Sequence, residues 1–193
     1  MTYDDLLIRN LALFHLGVAP IVALDEDTLQ RQVTDALYPV CRDRLLATGY
    51  FDFAINRAVL STPAADDPDE WRYLYRYDLP ANTLRVLAAY RDPDDEPLVD
   101  WAETNHQLCA DYMPVYVVTA TTADITDFTD LFVDALTALM ASEMAIPLTK
   151  NADLRAAAFT LYNEKLTDAR GYNTAYRQQQ DNQASRAIKA RYR

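Results

Sequence analysis

The stretch Thr28–Ala54, TLQRQVTDALYPVCRDRLLATGYFDFA, constrains the fold more than any other part of the chain. Leu29, Val33, Leu37, Val40 and Leu45 recur mostly at intervals of three or four, and Ala36 and Cys41 widen the same stripe. That spacing predicts a helix with one apolar face turned to a core. Asp25 or Asp27 is placed to cap its start, and Gly49 to stop it. Pro39 removes one N–H inside the helix, so a kink is expected there. Directly afterwards come Tyr50, Phe51 and Phe53. A helix that runs into an aromatic wedge marks the junction of two layers, so Pro39, Tyr50, Phe51 and Phe53 are read as the joint between a helical part and a β part.

The hydrophobic period on either side agrees. A first helix is expected over residues 2–16, with Thr2 and Asp5 as a capping pair and Leu7, Leu11 and Phe14 as its stripe. From Ala54 to Ala123 the period changes to two. Trp71, Tyr73, Tyr75 and Tyr77 would share one strand face, with Arg72 and Arg76 opposite. Leu84–Tyr90, Leu98–Trp101 and Gln107–Ala110 read as further strands, and Pro114–Ala120, PVYVVTA, as the strongest. Strands separated by tight turns predict an antiparallel meander. From Ile125 the helical period returns, capped by Thr126 or Asp127. It carries an apolar stripe from Phe128 to Met144 and is ended by Pro147, with Ile146 biased away from helical geometry. A fourth helix starts at Asn151 and Asp153 and is interrupted at Gly171.

The expected fold class is therefore α+β: a four-helix bundle, residues 1–54 and 124–170, with a small antiparallel β-domain, 55–123, inserted between its two hairpins. Residues 171–193 form an extended tail with almost no stripe. It is either a helix that needs a partner to lie on or a segment that orders on binding.

Charge divides the chain. The net charge is −11 over 193 residues. From Arg170 onward there are six basic residues against Asp181 alone, a balance of +5 that leaves −16 on the rest. An acidic body with a basic tail suggests a tail docked on an acidic partner. The acidic excess gathers in two turn-rich segments, at Asp66, Asp67, Asp69 and Glu70, and at Asp92, Asp94, Asp95 and Glu96.

Little chemistry can be assembled from the inventory. Only 3 glycines occur, and neither G-x-G-x-x-G nor G-x-x-x-x-G-K-[ST] appears. His15 and His106 lie in different elements, and Ser61, Ser142 and Ser185 have no nucleophile-elbow setting. The carboxylates cluster in turns, where water keeps their pKa values ordinary. Neither acidic turn follows the D-x-[DN]-x-[DN]-G calcium loop. Cys41 and Cys109 have no zinc-ligand spacing and read as buried free thiols. No run of about 18 apolar residues is expected, and MTYDDLLIRN is acidic where a signal peptide would be basic, so synthesis in a cytoplasm is expected. A body at −16 repels phosphate, which disfavours an aromatic base-stacking platform on Trp71–Tyr77.

Three segments in order, YPVCRDRLLATGYFDFA, WRYLYRYDLPANTLRVL and TDLFVDALTALMASEMAIPLT, resemble the phage tail tubular protein A family, the head-to-tail adaptors of short-tailed bacteriophages. The matching positions are Tyr38, Pro39, Arg42, Asp43, Phe51, Asp52, Phe53 and Ala54. They continue with Trp71, Tyr73, Tyr75, Leu79, Pro80, Arg85, Val86 and Leu87. The last group is Phe132, Ala135, Leu136, Ala141, Glu143, Ala145, Pro147, Leu148 and Thr149. The likeness covers roughly residues 5 to 170; Tyr50-Phe51 stands where the family pattern has Pro-Trp.

The resemblance implies a non-enzymatic virion protein without cofactor or metal. It implies a ring, a dodecamer in this family, seated between the portal protein and a tail nozzle of the tail tubular protein B kind. Genomic DNA would pass through without sequence-specific binding, with no membrane involved, after assembly in the host cytoplasm. Under that reading Tyr176, Arg177, Arg186, Lys189, Arg191, Tyr192 and Arg193 face portal acids, and the two acidic turns face the nozzle or the lumen. The alternative is a small ligand-binding domain or hydrolase that uses the aromatic β-face.

Overall fold

The computed structural model describes residues 3–48, 51–64, 72–93 and 96–191, with side chains described as far as residue 172. The fold is α+β, and the chain divides into two compact units: Met1–Phe51 with Ala123–Arg193, and Asp52–Thr122.

The first unit holds α1 (Asp5–His15), α2 (Leu29–Thr48), α3 (Asp130–Thr149) and α4 (Ala152–Arg191). α3 is the common partner, packed against α1, α2 and α4. Its sequence explains this position. Residues from Phe132 to Ala145 are buried all round rather than along one stripe, which suits a helix enclosed by others. The same property makes α3 long and apolar enough to cross a membrane, contrary to the expectation that no such run exists, but most of that window is buried inside the unit. Ile8, Leu13, Leu45, Leu46, Phe132, Leu136, Met140 and Met144 are among its fully enclosed side chains.

The helix ends are where local reading and structure part. α1 is capped by Asp4, not Thr2: Asp4 is extended (φ −128°), and its carboxylate accepts from Leu7 N at 2.7 Å. At α2 the hydroxyl of Thr28, rather than Asp25 or Asp27, accepts from Arg31 N. Asp27 instead accepts from the Gln32 amide, and α2 continues through Pro39 to Thr48. Gly49 lies outside the described residues. Thr129 caps α3, while Asp124 caps a short 3-10 turn, Ile125–Asp127, just before it.

Pro147 does not end α3, and Ile146 stays helical. A proline so near a C-terminus costs a single hydrogen bond, and the last turn closes around it. The Thr149 hydroxyl donates to Ala145 O at 2.6 Å, and Lys150 N to Ile146 O at 3.0 Å. Lys150 itself takes the left-handed conformation (φ 55°), the usual place of a glycine.

Asn151 caps α4 as expected, accepting from Asp153 N and Leu154 N. The interruption at Gly171 does not occur: the α4 backbone is helical from Ala152 to Arg191. Ala158, Tyr162, Leu166 and Ala169 bury its first half along one face. α4 has 40 residues and α3 has 20, about 60 Å against about 30 Å, so the second half of α4 exceeds the length α3 can cover.

The second unit contains β1 (Ile55–Leu60), β2 (Tyr75–Asp78), β3 (Thr83–Tyr90), β4 (Ala102–Thr104), β5 (Gln107–Ala110) and β6 (Val115–Thr121). They form two antiparallel three-stranded sheets, ordered β1-β6-β3 and β2-β5-β4, in place of one meander. Of the pairs, only β4 and β5 are sequential, joined through Asn105 and His106 at φ 51° and 61°. Positive φ at both central residues is the turn that matches strand twist. β6, the most β-branched segment, takes the centre of its sheet, with β1 and β3 on its two sides. β1 escaped the sequence reading because INRAVL alternates poorly. The strand expected over Leu98–Trp101 lies instead at β4, and the aromatic strand begins only at Tyr75, with Trp71 outside the described residues. Tyr77, Leu79, Val86, Ala89, Leu108, Ala110, Val115 and Val117 make this unit's own core.

Candidate interaction surfaces

The Tyr38–Asp43 segment contributes to a polar joint between α1 and α2. Arg9, 8 % exposed, hydrogen-bonds the Asp35 carboxylate, lies 3.7 Å from Asp5 and stands 5.1 Å from the Tyr38 ring centroid. Arg42 stands over the same ring at 5.8 Å and donates to Asp43 at 2.8 Å. Arg31 completes the set on Asp35. Tyr38 thus meets two guanidinium groups. Burial, followed by the nearby Asp5 charge, pushes its pKa up to about 12. The sequence reading placed Tyr38 and Arg42 in a motif but missed Arg9. Its signal was the Asp5–Arg9 spacing of one helical turn, with Asp35 supplied by a second helix.

The aromatic wedge is anchored through one residue. Phe51 is 1 % exposed and meets Phe132 edge-on at 4.9 Å, and the Phe128 ring lies 4.6 Å from Phe132. Phe51 belongs to the helical unit, and Phe53 sits in the 3-10 turn Asp52–Ala54 of the β unit. Tyr50 lies outside the described residues. Polar bonds tie α3 to its neighbours: Arg44 to Glu143 at 2.6 Å, Lys165 to Asp134 at 3.0 Å, and Tyr3 to Asp130 at 2.8 Å. Arg170 reaches back to the last turn of α2, donating to Thr48 O at 2.7 Å.

The loop from Gly17 to Thr28 is fixed by side chains. Asn10 donates to and accepts from the backbone of Ile21, both at 2.9 Å. The Glu26 carboxylate accepts from Val22 N, Ala23 N and the Thr28 hydroxyl, and these donors hold its pKa below the usual value.

In the β unit the aromatic face is turned inward. Tyr77 is fully buried and donates to Tyr112 O at 2.6 Å; Tyr73 is 9 % exposed and donates to Asp100 at 3.0 Å. These rings are therefore core and not a stacking platform. What the unit exposes instead is aliphatic: Leu74, Val99 and Met113 are each more than half exposed, and Tyr112 is partly so. The loops that carry them are cross-linked. Asp111 accepts from Leu74 N at 2.9 Å, Asp100 from Tyr73 and Arg72, and Arg91 lies over the Tyr112 ring.

Of the acidic turns, Asp92 and Glu96 are described and Glu96 is exposed; Asp66, Asp67, Asp69, Glu70, Asp94 and Asp95 lie outside the described residues. Tyr176, Arg177, Arg186, Lys189 and Arg191 are placed by the α4 backbone alone, and Tyr192 and Arg193 lie outside.

The reactive groups do not converge. His15 approaches the Thr137 hydroxyl at 3.5 Å, with its pKa lowered chiefly by burial. His106 bonds Pro80 O in the β unit. Both cysteines are buried thiols outside any disulfide, as expected, and burial pushes Cys41 up to about 11. Among the described residues no group of His, Cys, Asp or Glu could hold a metal ion. The groove beside Thr160, Asn163, Glu164, Thr167 and Asp168 is a shallow depression on one face of α4.

No protein-family model matches the chain, and no curated protein is similar to it.

Proposed function

We propose that this protein is a structural head-to-tail adaptor of a short-tailed bacteriophage, a ring subunit between portal and tail nozzle. In this reading α1 to α4 act as a four-helix bundle with the β-domain inserted between its hairpins. The observation that carries it is α4. Its first half is committed to α3, while its second half is helical backbone of basic, stripeless sequence and needs an outside partner. An acidic portal surface is such a partner, with Arg177, Arg186, Lys189, Arg191 and Arg193 as its counter-charges and Tyr176 and Tyr192 beside them. The motif residues support the reading by their roles: Tyr38, Arg42 and Asp43 brace α1 on α2, and Phe51 anchors on Phe132. All are scaffold roles, as a connector requires.

Identical neighbours around a portal make heterologous contacts that close into a ring, a dodecamer by the resemblance. A body at −16 gives that ring a carboxylate-rich bore, which repels DNA phosphates and keeps the passing duplex unbound. The test is deletion of residues 171–193. It should abolish loading onto portal rings while leaving the helical unit's melting cooperative. Normal loading by the truncated chain refutes the docking role of α4.

A further inference from the structure

Strand residues alternate between the two faces of a sheet, and residues opposite one another in the register share a face. In the β1-β6-β3 sheet Ala58, Leu60, Val86, Ala89, Val115 and Val117 belong to the core of the unit. The other parity places Arg57 and Val59 of β1, Tyr116 and Val118 of β6, and Arg85 and Tyr90 of β3 on the outer face. Arg57, Val59 and Arg85 are exposed there, and the two tyrosines and Val118 are half-buried. A register shift between Thr83 and Arg85 sets part of this pattern. Without it Arg85 would share the buried side of Thr83.

This face is cationic within an acidic body. None of its three strands contains an acid. Arg9, Arg31, Arg42, Arg44 and Lys165 each meet a carboxylate elsewhere in the chain. Among the described residues Arg57 and Arg85 meet none. Tyrosine and arginine are the side chains most enriched where proteins meet.

The matching surface is the loop between α1 and α2. Val22 is 82 % exposed and Leu24 41 %. Residues 17–30 hold Asp25, Glu26 and Asp27 and no base, and Arg31, which follows, is held by Asp35. Glu26 serves the loop's own N–H groups, while Asp25 and Asp27 are exposed, Asp27 meeting the uncharged Gln32 amide. Asn10 and the Arg31 side chain fix the loop backbone at Ile21 and Leu24, so docking it costs little ordering entropy. Other exposed aliphatic groups lack this match. Asp100 and Asp111, beside Val99 and Met113, are taken by Arg72 and by Leu74 N, and Ile146 and Phe159 stand near Lys150 and Arg155 in the chain.

We propose that the outer face of the β1-β6-β3 sheet receives the α1–α2 loop of a second copy, with Arg57 and Arg85 facing Asp25 and Asp27, and Val22 and Leu24 against Val59, Tyr116 and Val118. This deepens the ring reading and rests on it, since it names a contact between identical neighbours. One surface of each copy meets a different surface of the next, the heterologous form that closes into a ring. A nucleic-acid strand is a poorer occupant, because two cations stand against a body at −16.

Charge exchange in the full chain tests the contact. A face variant (Arg57→Glu, Arg85→Glu) and a loop variant (Asp25→Lys, Asp27→Lys) change only exposed side chains. By sedimentation velocity in low salt, each alone should self-associate at least about tenfold more weakly than the natural chain. Their equimolar mixture should recover association, because natural loop then meets natural face and the introduced lysines meet the introduced glutamates. Salt at about 1 M should weaken the natural contact, since the Debye length falls to about 3 Å. Unchanged helical melting shows that both variants are folded, so a failed recovery counts against the contact. A mixture as weak as its components, a variant that associates like the natural chain, or a natural chain still monomeric at about 1 mM each overturns it. So does a single-stranded oligonucleotide retained by the natural chain and lost from the face variant, which would assign the face to nucleic acid. Portal loading is read separately, so failure here leaves the adaptor reading to its own test.

Discussion

Phe51 and Arg9 represent the two kinds of interaction that hold the helical unit. Phe51 is wholly enclosed against Phe132, so Phe51→Ala removes an aromatic ring and leaves a cavity. Chemical denaturation should show a loss of about 3–5 kcal/mol, and Phe53→Ala, at a half-buried position, well under half of that. Arg9 is a buried charge whose partner Asp35 is one-third exposed. Arg9→Ala should cost about 2–3 kcal/mol, below the full cost of breaking a buried pair because water still reaches Asp35. The double change Arg9→Met with Asp35→Leu should recover most of it, since an apolar pair of that volume needs no solvation.

Two titrations belong to the same scale. Tyr38 has its folded pKa raised from 10.0 to about 12, so the neutral phenol favours the folded state. Its contribution is complete below pH 10 and disappears as pH rises toward 12. The difference between natural and Tyr38→Phe spectra near the tyrosinate band should show ionisation only in that upper window or on unfolding. Glu26 runs the other way: its folded pKa lies below 4.5, so it holds the loop before α2 above that pH and releases it as pH falls through the lowered value. Amide exchange at Val22 and Ala23 should accelerate in that acid window, and Glu26→Gln should flatten the dependence.

Among the elements, α4 and the turn before it are the most informative. Nothing lies within 4 Å of where a Cβ would stand on Gly171, and the backbone there is helical. Gly171→Ala should therefore raise stability or helicity by about 1 kcal/mol, whereas a helix that broke at this glycine would gain nothing. Lys150→Gly relieves a left-handed residue and should stabilise by about 0.5–1 kcal/mol.

These elements also show what sequence can and cannot display. The period of three to four in α2 and α3, and the β-branched run of β6, declare element type because burial imposes the period directly. Pro147 and Gly171 misled because a local propensity of about 1–3 kcal/mol is outweighed by tertiary packing or by neighbouring helical turns. The order of two interleaved sheets was not visible, since pairing partners lie far apart in the chain. β1 was missed because an edge strand needs no strict alternation. The exposed side chains of Leu74, Val99 and Met113 were hidden for a similar reason: exposure is decided by where loops meet, and their carboxylate links join residues 37 and 27 positions apart.

At the scale of the molecule, the proposed ring subunit combines an acidic body, two compact units and a long basic-ended helix. Among the described residues there are scaffold contacts, exposed aliphatic side chains on the loops of the β unit and a helix whose backbone runs to Arg191, with the reactive groups dispersed. The resemblance in three ordered segments gives those surfaces their proposed partners. The most direct test is the mass of the complex formed when the purified full-length chain meets portal rings of the virus that encodes it. The adaptor reading requires one copy for each portal subunit, as a closed ring on one axial face. A chain that remains monomeric beside intact portal rings contradicts it.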